Sequence, residues 1–92
     1  MSALRAGAEV GIPCEVKQGP FEGEKLVSFE TVDGPVTGFV SEEELNHSDS
    51  DGWLIHAVVV KIEKDVVTVR VRGSFFTTNG LANIRPDMAL AA

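Results

Sequence analysis

The sequence predicts an all-β chain, a single small antiparallel barrel of five or six strands with one short helical turn. Three observations carry that expectation. Runs rich in β-branched and aromatic residues alternate with period two, most cleanly where Val67, Val69 and Val71 oppose Thr68, Arg70 and Arg72. Turn signals such as Asp33-Gly34, Lys64-Asp65 and Asn79-Gly80 separate these runs at short intervals. No long amphipathic helical pattern, internal repeat or low-complexity segment interrupts them. Short strands joined by tight turns must close or fold over to hide one apolar face, and in a chain of this length a small barrel does so.

Residues 1–11 set Gly7 and Gly11 among small side chains and read as a flexible N-terminal arm. The barrel domain is expected over 12–85, and 86–92 form a short tail whose end, Asp87 to Ala92, makes a frayed helical turn. Ile12 to Lys17 is extended, with Pro13 near a strand start or on an edge, and Gln18-Gly19-Pro20 ends it in a loop. Lys25 to Thr31 is a half-buried strand with Val27, Phe29 and Thr31 on one face and Ser28 and Glu30 on the other. Asp33-Gly34 turns the chain, since glycine supplies the positive φ a tight hairpin needs, and Pro35 to Val40 forms the partner strand. Ser41 to Leu45 fits a capping box: the Ser41 hydroxyl accepts from the backbone N–H three residues on while Glu44 reaches back, starting one or two helical turns. Asn46 to Gly52 is polar throughout and is expected as an exposed loop. Trp53 to Glu63 is the most hydrophobic segment. Its Val58-Val59-Val60 is apolar on both faces, which predicts a central strand covered on both sides or bent between two halves of a barrel. Lys64-Asp65 leads into a second hairpin strand, Gly73 interrupts, and Ser74 to Thr78 adds a short strand before Asn79-Gly80.

Composition bounds the function. Ninety-two residues, 43% apolar and 24% charged, make one domain. A chain of this size buries roughly 60–65% of its unfolded surface, which leaves little room for an enclosed substrate cavity. Eight Lys+Arg against fourteen Asp+Glu give a net charge of −6, which favours solubility and repels a phosphate backbone at long range. Residues 1–46 hold three basic and nine acidic groups and residues 47–92 hold five of each, so the second half alone can present a basic patch. Cys14 is the sole cysteine, which excludes an intrachain disulfide and fits a reducing, cytoplasmic setting. The start of the chain lacks the charged segment and about 7–15 apolar residues of a secretory signal, and no apolar run approaches the roughly 20 residues that span a bilayer, so no membrane association is expected.

The stretch Val36-Thr37-Gly38-Phe39-Val40-Ser41-Glu42-Glu43-Glu44-Leu45 resembles the glycine, aromatic, valine and short helical turn that close a strand in Src-homology-3-like barrels, including bacterial ones. Val16-Lys17-Gln18-Gly19-Pro20-Phe21 followed by Gly23 resembles the strand-to-loop opening of KOW-type barrels. The resemblance implies a barrel that binds through its loops. The Gly-Phe-Val element lies near mid-chain, and the chain has no tyrosine, which departs from the aromatic proline-peptide groove of the eukaryotic members. An open, OB-like barrel is the alternative architecture.

Catalytic groups are sparse. Cys14, beside Pro13 in an expected strand, reads as a buried, inert thiol. His56 shares strand parity with Leu54, Val58 and Val60 and reads as a hydrogen-bonded partner on a mostly apolar face. Neither His47 nor His56 has a second histidine or cysteine at metal-ligand spacing. His47-x-Asp49-x-Asp51-Gly52 resembles a calcium loop, but with Gly52 at the sixth position the twelfth falls on Val58, where a bidentate glutamate belongs. Glu42, Glu43 and Glu44 read as an acidic first turn favoured by the helix dipole. The glycines are scattered singly at turns and form no phosphate cradle. No catalytic residue, cofactor or metal is expected, and the chain reads as a non-enzyme.

The expected partner-binding residues are Phe21, Trp53, Arg70, Arg72, Phe75 and Phe76. Arg70 and Arg72 project from one strand face, Lys61 and Lys64 precede them across the hairpin, and Phe75 and Phe76 follow, joining positive charge to aromatic surface. Outward arginines also guard a strand edge against aggregation. The function expected is a non-catalytic interaction module that recognises a protein partner through the 19–24 loop, the acidic 46–52 loop and the Arg70 to Phe76 region. The alternative is a nucleic-acid-binding small barrel, translation-related as the KOW resemblance implies, that uses the Arg70/Arg72 face against the net negative charge. Apolar strand edges also admit a homodimer.

Overall fold

In the computed structural model, which describes residues 4–75 and 79–91, the chain builds ten strands and two single 3-10 turns. The strands are β1 (Glu9–Pro13), β2 (Glu15–Gln18), β3 (Glu24–Thr31), β4 (Gly34–Ser41), β5 (Leu45–Ser48), β6 (Gly52–Glu63), β7 (Val66–Val71), β8 (Ser74–Phe75), β9 (Leu81–Ile84) and β10 (Leu90–Ala91). Among the described residues all pairings are antiparallel and fall into two sheets. The larger runs β10-β1-β6-β7-β9, with β5 also on β6, and the smaller runs β2-β3-β4-β8.

The β3–β4 hairpin follows the sequence pattern. Its register is unbroken from Glu24 opposite Ser41 to Thr31 opposite Gly34, and Val27, Phe29, Val36 and Val40 are buried on one face. Gly34 has φ 108°. The Thr31 hydroxyl donates to the Gly34 carbonyl (2.6 Å) and accepts from the Asp33 N–H (3.1 Å), which holds the turn.

β6 is the central strand, but it is covered on one side. β1 pairs along one edge, while β5 and then β7 pair along the other. Ile55, Ala57 and Val59 face the core. Leu54, His56 and Val58 lie on the opposite face, half-buried, and no further layer covers them among the described residues. Val59 opposes Val69 and Lys61 opposes Thr68, so Val60 is the extra residue of a β-bulge. The bulge changes the side-chain parity and brings Ile62 to the side of Val67. The run of valines records that bulge and not a strand buried on both faces.

The inner faces of the two sheets form the core. Val10, Ile12, Ile55, Val59, Val67, Val69 and Ile84 come from the larger sheet and Val27, Phe29, Val36 and Val40 from the smaller. Ile12, Ile55 and Ile84 are fully buried, each such side chain contributing about 1.5–3 kcal/mol relative to exposure. The chain crosses between the sheets at Cys14, at the Glu42–Glu44 turn, at Arg72-Gly73 and again between β8 and β9. A hydrogen bond from Val32 N–H to the Asn83 carbonyl (2.8 Å) ties the β3–β4 turn to β9. The expected closed barrel is thereby corrected: among the described residues the ladders remain two separate sheets. At the first three of these crossings one to three residues leave the strand pairing, which separates the ladders on either side.

Other boundaries differ for local reasons. Residues 9–11, expected in the arm, belong to β1, and the ladder extends outward through Gly7 N–H to the Val59 carbonyl (2.7 Å) and Val59 N–H to the Ala8 carbonyl (2.8 Å). The expected 46–52 loop shrinks to a turn over 49–51, because β5 pairs with β6 while its polar side chains face outward. The helical turn is a 3-10 turn in which the Ser41 hydroxyl accepts from Glu43 N–H, two residues on, at 3.4 Å. The tail makes a 3-10 turn at Pro86–Met88 and then pairs with β1 as β10, in place of a frayed helical end. β9 had no separate sequence signal. Of the strand expected at 74–78, Ser74–Phe75 is β8, and residues 76–78 lie outside the described residues.

Candidate protein-binding site

The β2–β3 loop carries Phe21 into solvent with 70% of its surface exposed. Its backbone is held at several points. Glu24 N–H donates to the Phe21 carbonyl (3.2 Å), and Glu42 N–H, from the turn after β4, donates to the Gly23 carbonyl (3.0 Å). Lys25 Nζ donates to Gln18 Oε1 (3.0 Å) and lies 3.4 Å from Glu42 Oε2, bracing the loop from both strands. At Gly19 a Cβ would fall 2.4 Å from the Glu24 carbonyl oxygen, so the close approach of the loop's two ends requires glycine there. Glu22, next to Phe21 in the chain, and Glu42 and Glu43, in the turn whose Glu42 N–H meets Gly23, are exposed, while the Lys25 ammonium is engaged by Glu42.

A second exposed aromatic sits at the end of the β5–β6 hairpin. Trp53, 41% exposed, opposes His47 across the strands, and the rings meet edge to face at 5.0 Å and 71°. The 49–51 turn beside them is fixed by the Ser48 hydroxyl, which accepts from Ser50 N–H and Asp51 N–H, both at 3.3 Å. Asp49 and Asp51 are exposed on it. Among the described residues no group of three His, Cys, Asp or Glu side chains is placed to hold a metal ion.

Arg70 and Arg72 are both exposed near the end of β7. Arg70 belongs to a row that crosses four strands, Glu9, Val58, Arg70 and Leu81. Lys61 opposes Thr68 and its Nζ lies 2.8 Å from Glu63 Oε1. The hydrogen bond from Lys61 and its charge hold the Glu63 carboxyl below the usual carboxylate range. Lys64 sits in the β6–β7 turn. Phe75 is in register with Gly38 in the smaller sheet, beyond the Gly73 corner, and Phe76 lies outside the described residues. The expected partner-binding residues therefore fall on separate surfaces: Phe21 on a loop of the smaller sheet, Trp53 on a hairpin end, Arg70 on the outer face of the larger sheet.

His56 has partners that sequence reasoning did not name. Its Nε2–H donates to Glu9 Oε1 (2.9 Å), and Nδ1 lies 3.7 Å from Glu44 Oε1. Glu9 was assigned to the arm; the β1–β6 register, Gly11 opposite His56 and Glu9 opposite Val58, brings it alongside. Cys14 is half-buried at the corner between β1 and β2, and burial pushes its thiol up to about 11. It stays protonated near neutral pH, which withholds the thiolate a nucleophile needs. An open groove of about 380 Å³ runs beside it, lined by Pro13, Ser28, Phe29, Glu30, Pro35 and Met88. Compared with protein-family models, curated proteins and solved structures, the chain matches none.

Proposed function

We propose that the protein is a non-catalytic interaction module that takes a basic, apolar segment of a protein partner at the Phe21 loop. The observation that carries this is an aromatic ring 70% exposed on a loop tied by hydrogen bonds at Phe21 and Gly23, the latter to the acidic Glu42–Glu44 turn. A pinned loop loses little freedom on binding. Aromatic anchors supply most of the energy at such interfaces, and complementary charge sets the encounter rate and the choice of partner. Trp53, with Asp49 and Asp51 in the adjoining turn, repeats the same chemistry on the separate β5–β6 hairpin. Binding through loops is also what the Src-homology-3-like resemblance implies, and a cytoplasmic partner fits the lone free thiol.

The test is an array of short peptides graded in basic and apolar content, probed with the wild-type chain and with Phe21→Ala. Basic peptides with a large apolar residue should bind, and Phe21→Ala should weaken them about 30-fold, the loss of an interface anchor worth about 2 kcal/mol. Binding unaffected by Phe21→Ala, or confined to RNA and lost in Arg70→Glu, would replace this reading with the nucleic-acid one.

A further inference from the structure

The outer face of the larger sheet is uncovered among the described residues, and its composition is ordered. Leu54, His56 and Val58 run down its middle on β6. On the β1 side stands Glu9, and on the β7 side at the same level stands Arg70, each opposite Val58. Leu81 extends this row on β9. Glu9 and Arg70 flank β6 on opposite sides, with Val58 between them, two strand spacings of about 4.8 Å apart. At the level of Val58 the β1 side thus carries an acid and the β7 side a base, while the next outward residue of β6, His56, lies 3.7 Å from the Glu44 carboxylate.

We infer that this face is a twofold interface with a second copy of the chain. An isologous interface must be self-complementary. A twofold axis along β6 in the plane of the interface exchanges the two flanks: Leu54, His56 and Val58 meet their own counterparts, and Arg70 of one copy comes over Glu9 of the other. His56 holds the Glu9 carboxylate in place for that pairing. At Gly11 a Cβ would stand 3.2 Å from the Leu54 side chain, so a bare backbone lets Leu54 lie down and keeps this part of the face flat. Five strands about 4.8 Å apart and about five residues of 3.3 Å give a footprint of roughly 400 Å² in projection. That is about half of the roughly 800 Å² per partner of a standard interface, so the dimer is a weak, rapidly reversible one. The face is separate from the Phe21 loop, so failure of one proposal leaves the other standing.

Sedimentation equilibrium on the full chain tests the pairing through charge reversal. The wild type should show a reversible monomer–dimer equilibrium. Arg70→Glu and Glu9→Lys should each weaken it about tenfold or more, and the double variant should recover most of the loss, because reversal restores an attractive pair across the axis. Rescue separates the interface from a local effect on the Glu9–His56 bond, which Arg70→Glu cannot repair. Val58→Lys, on the same half-buried outward face, should abolish association while circular dichroism shows retained strand. A wild type that stays monomeric at about 1 mM, or a double variant no better than either single one, would overturn the proposal.

Discussion

The Ile55 side chain shows how closely single residues define this molecule. It is fully buried on the core face of β6, and Ile55→Ala should cost about 2–5 kcal/mol, read as a lower urea midpoint at unchanged slope. Gly19→Ala should also destabilise, by about 1–3 kcal/mol, because its Cβ meets the backbone of Glu24 and not a movable side-chain tip. Cys14 predicts a pH effect of defined sign. The unfolded thiol releases its proton near 9.0, while the folded one keeps it to about 11. The unfolded state therefore binds fewer protons in that window, so stability is complete below about pH 9 and falls as pH rises toward 11. Cys14→Ala should flatten that alkaline decline. Cys14, expected buried within a strand, is half-buried at the corner between β1 and β2, and the Glu9 partner of His56 was not legible at all. Two residues 47 apart in the chain meet through strand register, which no local pattern encodes.

Among the elements, the two tight turns make opposite predictions. Gly34 holds φ 108°, and Gly34→Ala should lower stability by about 1 kcal/mol or more. Lys64 holds φ 48°, a left-handed conformation unusual for a residue with a side chain, so Lys64→Gly should be neutral or stabilise by up to about 0.5 kcal/mol, as denaturant midpoints will show. The strands with clean alternation, β3, β4 and β7, were legible because one face of each is buried and the other wet. β5 was not legible: it exposes Asn46 and His47, and its polar composition reports exposure while its backbone still pairs with β6. At Val60 the sequence showed an excess of apolar residues, and a bulge explains it without a second covering layer.

For the whole molecule, the Cα radius of gyration of 12.4 Å matches the value of about 12 Å expected for one compact domain of this length. Both sheets contribute to one core, so unfolding should be a single cooperative transition. The all-β class was legible from periodicity and turns. Closure was not, because it depends on how the corners at Cys14, Glu42–Glu44 and Gly73 aim one sheet at the other. Of the proposed site, Phe21 and its loop were named from the sequence, whereas Glu42–Glu44 read as an acidic first turn, and the separation from Arg70 and Arg72 follows from the sheet arrangement. Partner binding at an acidic surface should weaken as salt rises, chiefly through a slower association rate.

Titration of a basic, apolar peptide into isotope-labelled protein, followed residue by residue through the backbone amide resonances, is the most direct measurement. The shifts should concentrate on residues 19–24 and 42–44, weaken with salt, and spare Arg70 and Arg72. No perturbation at about millimolar peptide, a range in which even weak complexes form, or shifts confined to the outer face of β7, would contradict the account.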